Sequence, residues 1–150
     1  MKKYLLPLLA AAVVLLAGCS NKTRVITSYY NVGPNQWDAH LNDNGDGTFT
    51  PDYYYSEWTN EDITPEVVEN GYVLVYYVDG AGRDNQLPYV LPYYDEDQDA
   101  YYMENIRFDV KEGRIRFIIE DSDFGTYNSV QFIQQKERTL QFKVCCVSYE

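Results

Sequence analysis

The chain has 150 residues, a formal net charge of −11, and sixteen tyrosines in a composition that is 16% aromatic. This length suits one domain with a real core and argues against two. Acidity of this degree repels phosphate backbones and argues against nucleic acid as a partner, while three cysteines are too few for a disulfide-built scaffold.

Lys2 and Lys3, the apolar run Leu5 to Ala17 and then Leu16-Ala17-Gly18-Cys19 are the parts of a secretory signal. The apolar run would rise only about 20 Å as a helix, short of the roughly 30 Å hydrocarbon core of a bilayer. Leu-Ala-Gly-Cys also resembles the lipobox of bacterial lipoproteins. That resemblance implies diacylglycerol on the Cys19 thiol, cleavage before Cys19 and acylation of the new amine. The alternative is an ordinary signal peptide that ends in Gly-Cys. The expected organisation is a signal peptide over 1–18, a lipidated N-terminus and short tether over 19–23, and one domain over 24–150. Cleavage removes Lys2 and Lys3 and takes the formal charge from −11 to −13. By resemblance to known sorting rules, Ser20 in place of Asp favours the outer membrane. Asn21-Lys22-Thr23-Arg24 lacks the acidic run of surface-exported lipoproteins, so periplasmic and surface faces both stay open.

Tyr, Val and Ile runs suit a pleated, half-buried surface and predict about seven strands. The first runs from Arg24 to Val32. A short one over Trp37 to Leu41 enters the turn Asn42-Asp43-Asn44-Gly45-Asp46-Gly47, and Asp52 to Trp58 follows it. Thr64-Pro65-Glu66 predicts a short helix that ends at Gly71. Tyr72 to Asp79 is apolar on both faces, as a central strand is. Gln86 to Tyr94 carries Pro88 and Pro92 and belongs at an edge or in an irregular position. Tyr101 to Val110 and Arg114 to Asp121 flank Lys111-Glu112-Gly113 as a hairpin, with Ile106, Phe108, Val110, Ile115, Phe117 and Ile119 on its buried face. Ser122 to Arg138 reads as a loop that packs down, and Leu140 to Tyr149 is the last strand. The pattern points to an all-β fold, an antiparallel β-sandwich, with a partly open barrel as the alternative.

The chemistry-bearing residues are sparse. His40, the single histidine, sits in a polar stretch with no nucleophile elbow and no metal-binding partner motif. Asn42 to Gly47 begins like an EF-hand loop, but Asn42 replaces the first acid and Tyr53 stands where the bidentate Glu belongs, so turn formation is the favoured reading. The acidic stretch Asp95 to Asp99 reads as a solvated tip. Cys145 and Cys146 are neighbours on a strand and point to opposite faces, which leaves one thiol buried and the other outward or covered; a vicinal redox pair or a metal site is the alternative. Tyr offers rigid amphipathic area for a sugar face or a protein partner. Alternation nevertheless turns about half of Tyr53-Tyr54-Tyr55, Tyr76-Tyr77, Tyr93-Tyr94 and Tyr101-Tyr102 inward.

Glu69-Asn70-Gly71, Leu87-Pro88-Tyr89, Ile106-Arg107-Phe108, Gly113-Arg114-Ile115 and Asp121-Ser122-Asp123-Phe124 resemble a group of uncharacterised short lipoproteins of Gram-negative gut-type bacteria. Some of these carry a collagen-like Gly-Pro stretch after the lipidated cysteine, which is missing here. The resemblance spans roughly Tyr53 to Val147 and implies address and fold, with no activity to carry over. The expectation is therefore a lipid-anchored, non-enzymatic protein with a binding or structural role at the cell envelope. It has no catalytic residue, metal or cofactor; its partners are a membrane, through lipid on Cys19, and a glycan or an envelope protein. The rival is a glycan-capture or enzyme-accessory lipoprotein, which requires a contiguous exposed patch of Tyr and Trp.

Overall fold

The computed structural model describes residues 22–95, 99–121 and 137–149. These form β1 (Thr23–Val32), β2 (Asp38–Asp43), β3 (Phe49–Thr59), helix α1 (Pro65–Asn70), β4 (Tyr72–Val78), β5 (Asp84–Gln86), β6 (Tyr89–Asp95), β7 (Ala100–Lys111), β8 (Arg114–Asp121) and β9 (Leu140–Tyr149). One sheet runs β1-β9-β4-β5 and the other β2-β3-β8-β7-β6, with every neighbouring pair antiparallel. Two open sheets around a shared core make the expected β-sandwich, not a barrel.

The described residues hold nine strands where about seven were expected, and one reason is local. Gln86 to Tyr94 is two strands, β5 and β6, separated at Leu87-Pro88, whose peptide is cis. Leu87 N still donates to Val75 O at 2.9 Å, but Pro88 has no N–H to continue the ladder, and the chain passes there from one sheet to the other. β6, with Pro92 in it, is an edge strand. Tyr72 to Val78 is interior, paired with β9 along its length and with β5 over Tyr76 to Val78.

Helix α1 forms as its cap residues predict. The Thr64 side chain accepts from Val67 N at 3.3 Å, Pro65 occupies the first turn, and Gly71 N donates to the carbonyls of Glu66 and Val67 at 3.2 Å each. Gly71 is needed for space and not for an unusual backbone: its φ is −107°, but a Cβ there would lie 2.0 Å from the Val147 carbonyl oxygen.

The β7–β8 hairpin turns at Glu112-Gly113, where Gly113 takes φ 72°. Its tip is held by Gly113 N donating to Ile63 O at 2.8 Å and Asn60 N donating to Gly113 O at 2.9 Å. Ile106, Ile115, Phe117 and Ile119 are fully buried and Phe108 packs against them half-buried, as alternation predicts, whereas Val110 near the tip is exposed. The layers meet where the Phe117 ring stacks on that of Phe142 from β9, centroids 4.1 Å apart and 9° from parallel. Tyr30 of β1 adds edge contacts to Trp58 and Phe117 at 5.6 and 5.5 Å.

The opposite face of the hairpin is drier than simple alternation suggests. Ile118 lies on that face and is nonetheless fully buried, between Tyr55 and Arg107 in the ladder. Of the loop expected over Ser122 to Arg138, residues 122–136 lie outside the described residues. Cys145 and Cys146 are both free and both buried, the first beside Thr27 and the second in the core. Burial pushes the Cys146 thiol up to about 11, which keeps it protonated and unreactive; the outward-facing neighbour is covered, not open.

Candidate functional site

Strand parity sorts the tyrosines. Tyr54, Tyr77, Tyr93 and Tyr102 turn inward, while Tyr53, Tyr55, Tyr76, Tyr94 and Tyr101 lie on the outer faces, close to the expected half. Both tryptophans point in: Trp37 is buried and Trp58 packs on the core. Among the described residues the aromatic surface is therefore tyrosine, apart from Phe49 at the start of β3, and it holds no tryptophan.

On the outer face of the β2-β3-β8-β7-β6 sheet, cross-strand neighbours build a ladder of rings, guanidinium groups and carboxylates. His40 stacks on Tyr53 with centroids 4.5 Å apart and 7° from parallel, and its Nδ1 lies 2.7 Å from Asp52 Oδ1. The Arg107 guanidinium sits 5.4 Å from the Tyr53 ring and donates to Glu120 Oε1 through Nε and Nη2 at 2.8 and 2.6 Å. Arg116 sits 4.6 Å from the Tyr55 ring and donates to Glu57 Oε2 at 3.2 and 2.7 Å, while Arg114 holds Glu57 Oε1 at 3.1 Å. Hydrogen bonds from Arg116 and Arg114 keep Glu57 below the usual carboxylate range. At the β6 edge, the Tyr94 and Tyr101 rings touch at 4.8 Å and are 48% and 80% exposed, with Val90 and Met103 exposed beside them. The ladder is pre-ordered by its own ion pairs, and the Tyr94–Tyr101 edge is the part open to a partner.

No family model, curated protein or solved structure matches this chain. The function has to be read from the molecule itself.

Of the loops singled out in the sequence, Asn42 to Gly47 is a turn. In Asn42 to Gly47, Asp43 Oδ1 accepts from Gly45 N at 2.8 Å and Asp46 Oδ1 from Thr48 N at 2.9 Å, with Asn44 N donating to Thr48 O at 3.0 Å. One carboxylate oxygen each of Asp43 and Asp46 is engaged within the turn, and no group of three or more metal-ligating side chains gathers among the described residues. Of Asp95 to Asp99, residues 96–98 lie outside the described residues; Asp99 accepts from the Tyr94 hydroxyl at 2.5 Å, which pushes the phenol's pKa up. Cys19 also lies outside them.

An interior polar cluster went unnoticed in the sequence. Glu104 is fully buried and Asp121, opposite it on β8, is buried too. Arg138 reaches the same region and donates to the Tyr93 hydroxyl at 2.9 Å. Burial, and after it the charge of Glu104, push the Tyr93 phenol up. The signal was present: Glu104 shares parity with Ile106 and Phe108, and Asp121 with Ile119.

Depressions indent the surface that the described residues form. One of about 130 Å³ is lined by Glu57, Asp109, Lys111 and Arg114 among others, and one of about 450 Å³ by Asn31, Tyr77 to Gly80 and Arg138 to Gln141. Neither is lined by His40, Glu104 or Asp121, so these proton-moving groups do not face either hollow.

Proposed function

We propose that this chain is a lipid-anchored protein of the cell envelope, held through Cys19 with the outer membrane favoured, and that its sandwich binds a partner and does not catalyse. The anchor reading rests on Leu16-Ala17-Gly18-Cys19 after a charged and apolar leader, and the likeness to short uncharacterised lipoproteins agrees with it. The observation that carries binding is the Tyr94–Tyr101 pair, open to solvent at the edge of a sheet face whose other side chains hold one another in place. Pre-ordering of that kind lowers the entropy lost on association. Against catalysis stands Glu57, the carboxylate of the smaller depression, which Arg114 and Arg116 hold in ion pairs.

Metabolic labelling with a fatty acid tests the anchor. Label is expected on the wild-type protein and none on Cys19→Ala, since no other cysteine follows a leader; label that persists in the variant sinks the lipoprotein reading.

The second reading, glycan capture, is favoured by the same pair of exposed rings, which suit the apolar face of a sugar. It lacks the Trp component, because Trp37 and Trp58 face inward. Affinity electrophoresis through a panel of envelope polysaccharides decides it. Retardation that disappears in the Tyr94→Ala, Tyr101→Ala double variant supports sugar binding, and free migration of the wild type in every gel leaves a protein as the partner.

A further inference from the structure

The other outer face, on the β1-β9-β4-β5 sheet, differs in kind. Cross-strand rows there read Val25–Val147–Tyr72, Thr27–Cys145–Leu74, Tyr29–Lys143–Tyr76 and Asn31–Gln141–Val78, with Tyr149 at the end beside Thr23. Val25, Tyr29, Tyr72 and Tyr149 are 58%, 62%, 47% and 41% exposed. Tyr72 and Tyr149 form one corner, with rings at 6.2 Å and hydroxyls at 3.2 Å.

Charge marks the face out. The chain carries 23 acids, yet among the outward positions of these four strands only Asp84 is acidic, and it is paired with Lys143 at 2.5 Å. That pair lies toward the end of the sheet away from Thr23. At the Thr23 end the exposed charged residues nearest in the chain are Lys22 and Arg24, on either side of Thr23, and Glu69, three residues before Tyr72.

We propose that this face lies on the bilayer surface to which Cys19 is attached. The inference rests on the anchor reading and adds an orientation to it. Three residues lie between Cys19 and Thr23, so the Cys19 backbone can be no more than about 14 Å from the start of β1. Thr23 pairs with Tyr149, which puts the apolar Tyr72–Tyr149–Val25 corner nearest the lipid. Tyr rings favour the headgroup level, where the ring is partly dehydrated and the hydroxyl stays wet. The strongly acidic remainder of the domain is repelled by the same headgroups and turns away. The tether selects the bilayer over a second copy of the chain, because it brings the lipid to the end of the sheet where this corner lies. The Tyr94–Tyr101 edge belongs to the opposite sheet and stays open to a partner.

Quenching by brominated lipid tests the orientation. Tyr72→Trp, Tyr29→Trp and Tyr101→Trp are each prepared as lipidated full-length protein in vesicles of phosphatidylethanolamine and phosphatidylglycerol, with plain or dibrominated acyl chains. The native Trp37 and Trp58 give the baseline. Bromination is expected to reduce the added emission of Tyr72→Trp several-fold and that of Tyr29→Trp less, and to leave Tyr101→Trp unchanged. No loss at Tyr72→Trp, or equal loss at Tyr72→Trp and Tyr101→Trp, overturns the docking. Mass analysis of the Cys19 peptide from the same vesicles separates the two readings. Unquenched but lipidated protein overturns the docking alone; a peptide without lipid overturns the anchor and the docking with it.

Discussion

Phe117→Ala is expected to lower the unfolding free energy by about 3 to 5 kcal/mol, because it removes a fully buried ring and leaves a cavity that neighbouring side chains only partly refill. The loss falls where the two sheets touch, since the ring stacks on Phe142 at 4.1 Å and meets Tyr30 edge-on. It is a large share of the roughly 5 to 15 kcal/mol typical of a single domain. Arg116, one residue away on the opposite face, is the comparison. Alternation alone assigns Arg116→Ala a change within about 0.5 kcal/mol on a wet face, but the guanidinium grips Glu57 through two hydrogen bonds and covers Tyr55. A loss of about 1 kcal/mol is expected there, well short of Phe117 because the pair is partly solvated. Urea melts of both variants measure the contrast, and equal losses would mean that the inward and outward faces of β8 have been assigned wrongly.

Gly71→Ala is expected to cost about 3 kcal/mol, at the upper end of what overpacking does. The added methyl would sit 2.0 Å from the Val147 carbonyl oxygen and 3.1 Å from Val67 Cα, so backbone must move on both sides. Backbone of the central strand β9 and of helix α1 gives way less readily than the tip of a side chain. Gly80→Ala is the control, since no atom lies within 4 Å of the new Cβ and its φ is not in the left-handed region. Thermal melts should show a clear drop in Tm for Gly71→Ala and little change for Gly80→Ala; similar melts would show that α1 can withdraw from β9 without penalty.

Features set by alternation and by local turn chemistry were readable from the residues. The β7–β8 hairpin, the cap of α1, the edge position of β6 and the inward half of the tyrosines all follow from period-two patterning or from Pro, Gly and Thr placement. Three things were not readable, for a shared reason. Gly71 gave the expected helix end, but its closeness to Val147 depends on a strand more than seventy residues away. Arg116 looked like a wet residue because its partners, Glu57 and Tyr55, come from β3. The tyrosine edge and the sheet face with a single acid exist only once register places Tyr94 against Tyr101 and Tyr72 beside Val147. Local pattern fixes which way a side chain points; the pairing of distant strands fixes what it meets.

The β1-β9-β4-β5 order has a consequence for the timing of folding. β1 and β4 never pair with each other; each pairs with β9, and Thr23 stands opposite Tyr149. A chain delivered across a membrane from its N-terminus has both strands on the far side well before β9 arrives. The β2–β3 and β7–β8 hairpins close over short loops and can form early, while the sheet that contains β1 must wait for its middle. During that wait Val25, Ile26, Tyr29, Tyr30 and the apolar run Tyr72 to Val75 have no strand partner, and unpaired apolar strands of this kind are where a folding chain is most exposed to aggregation.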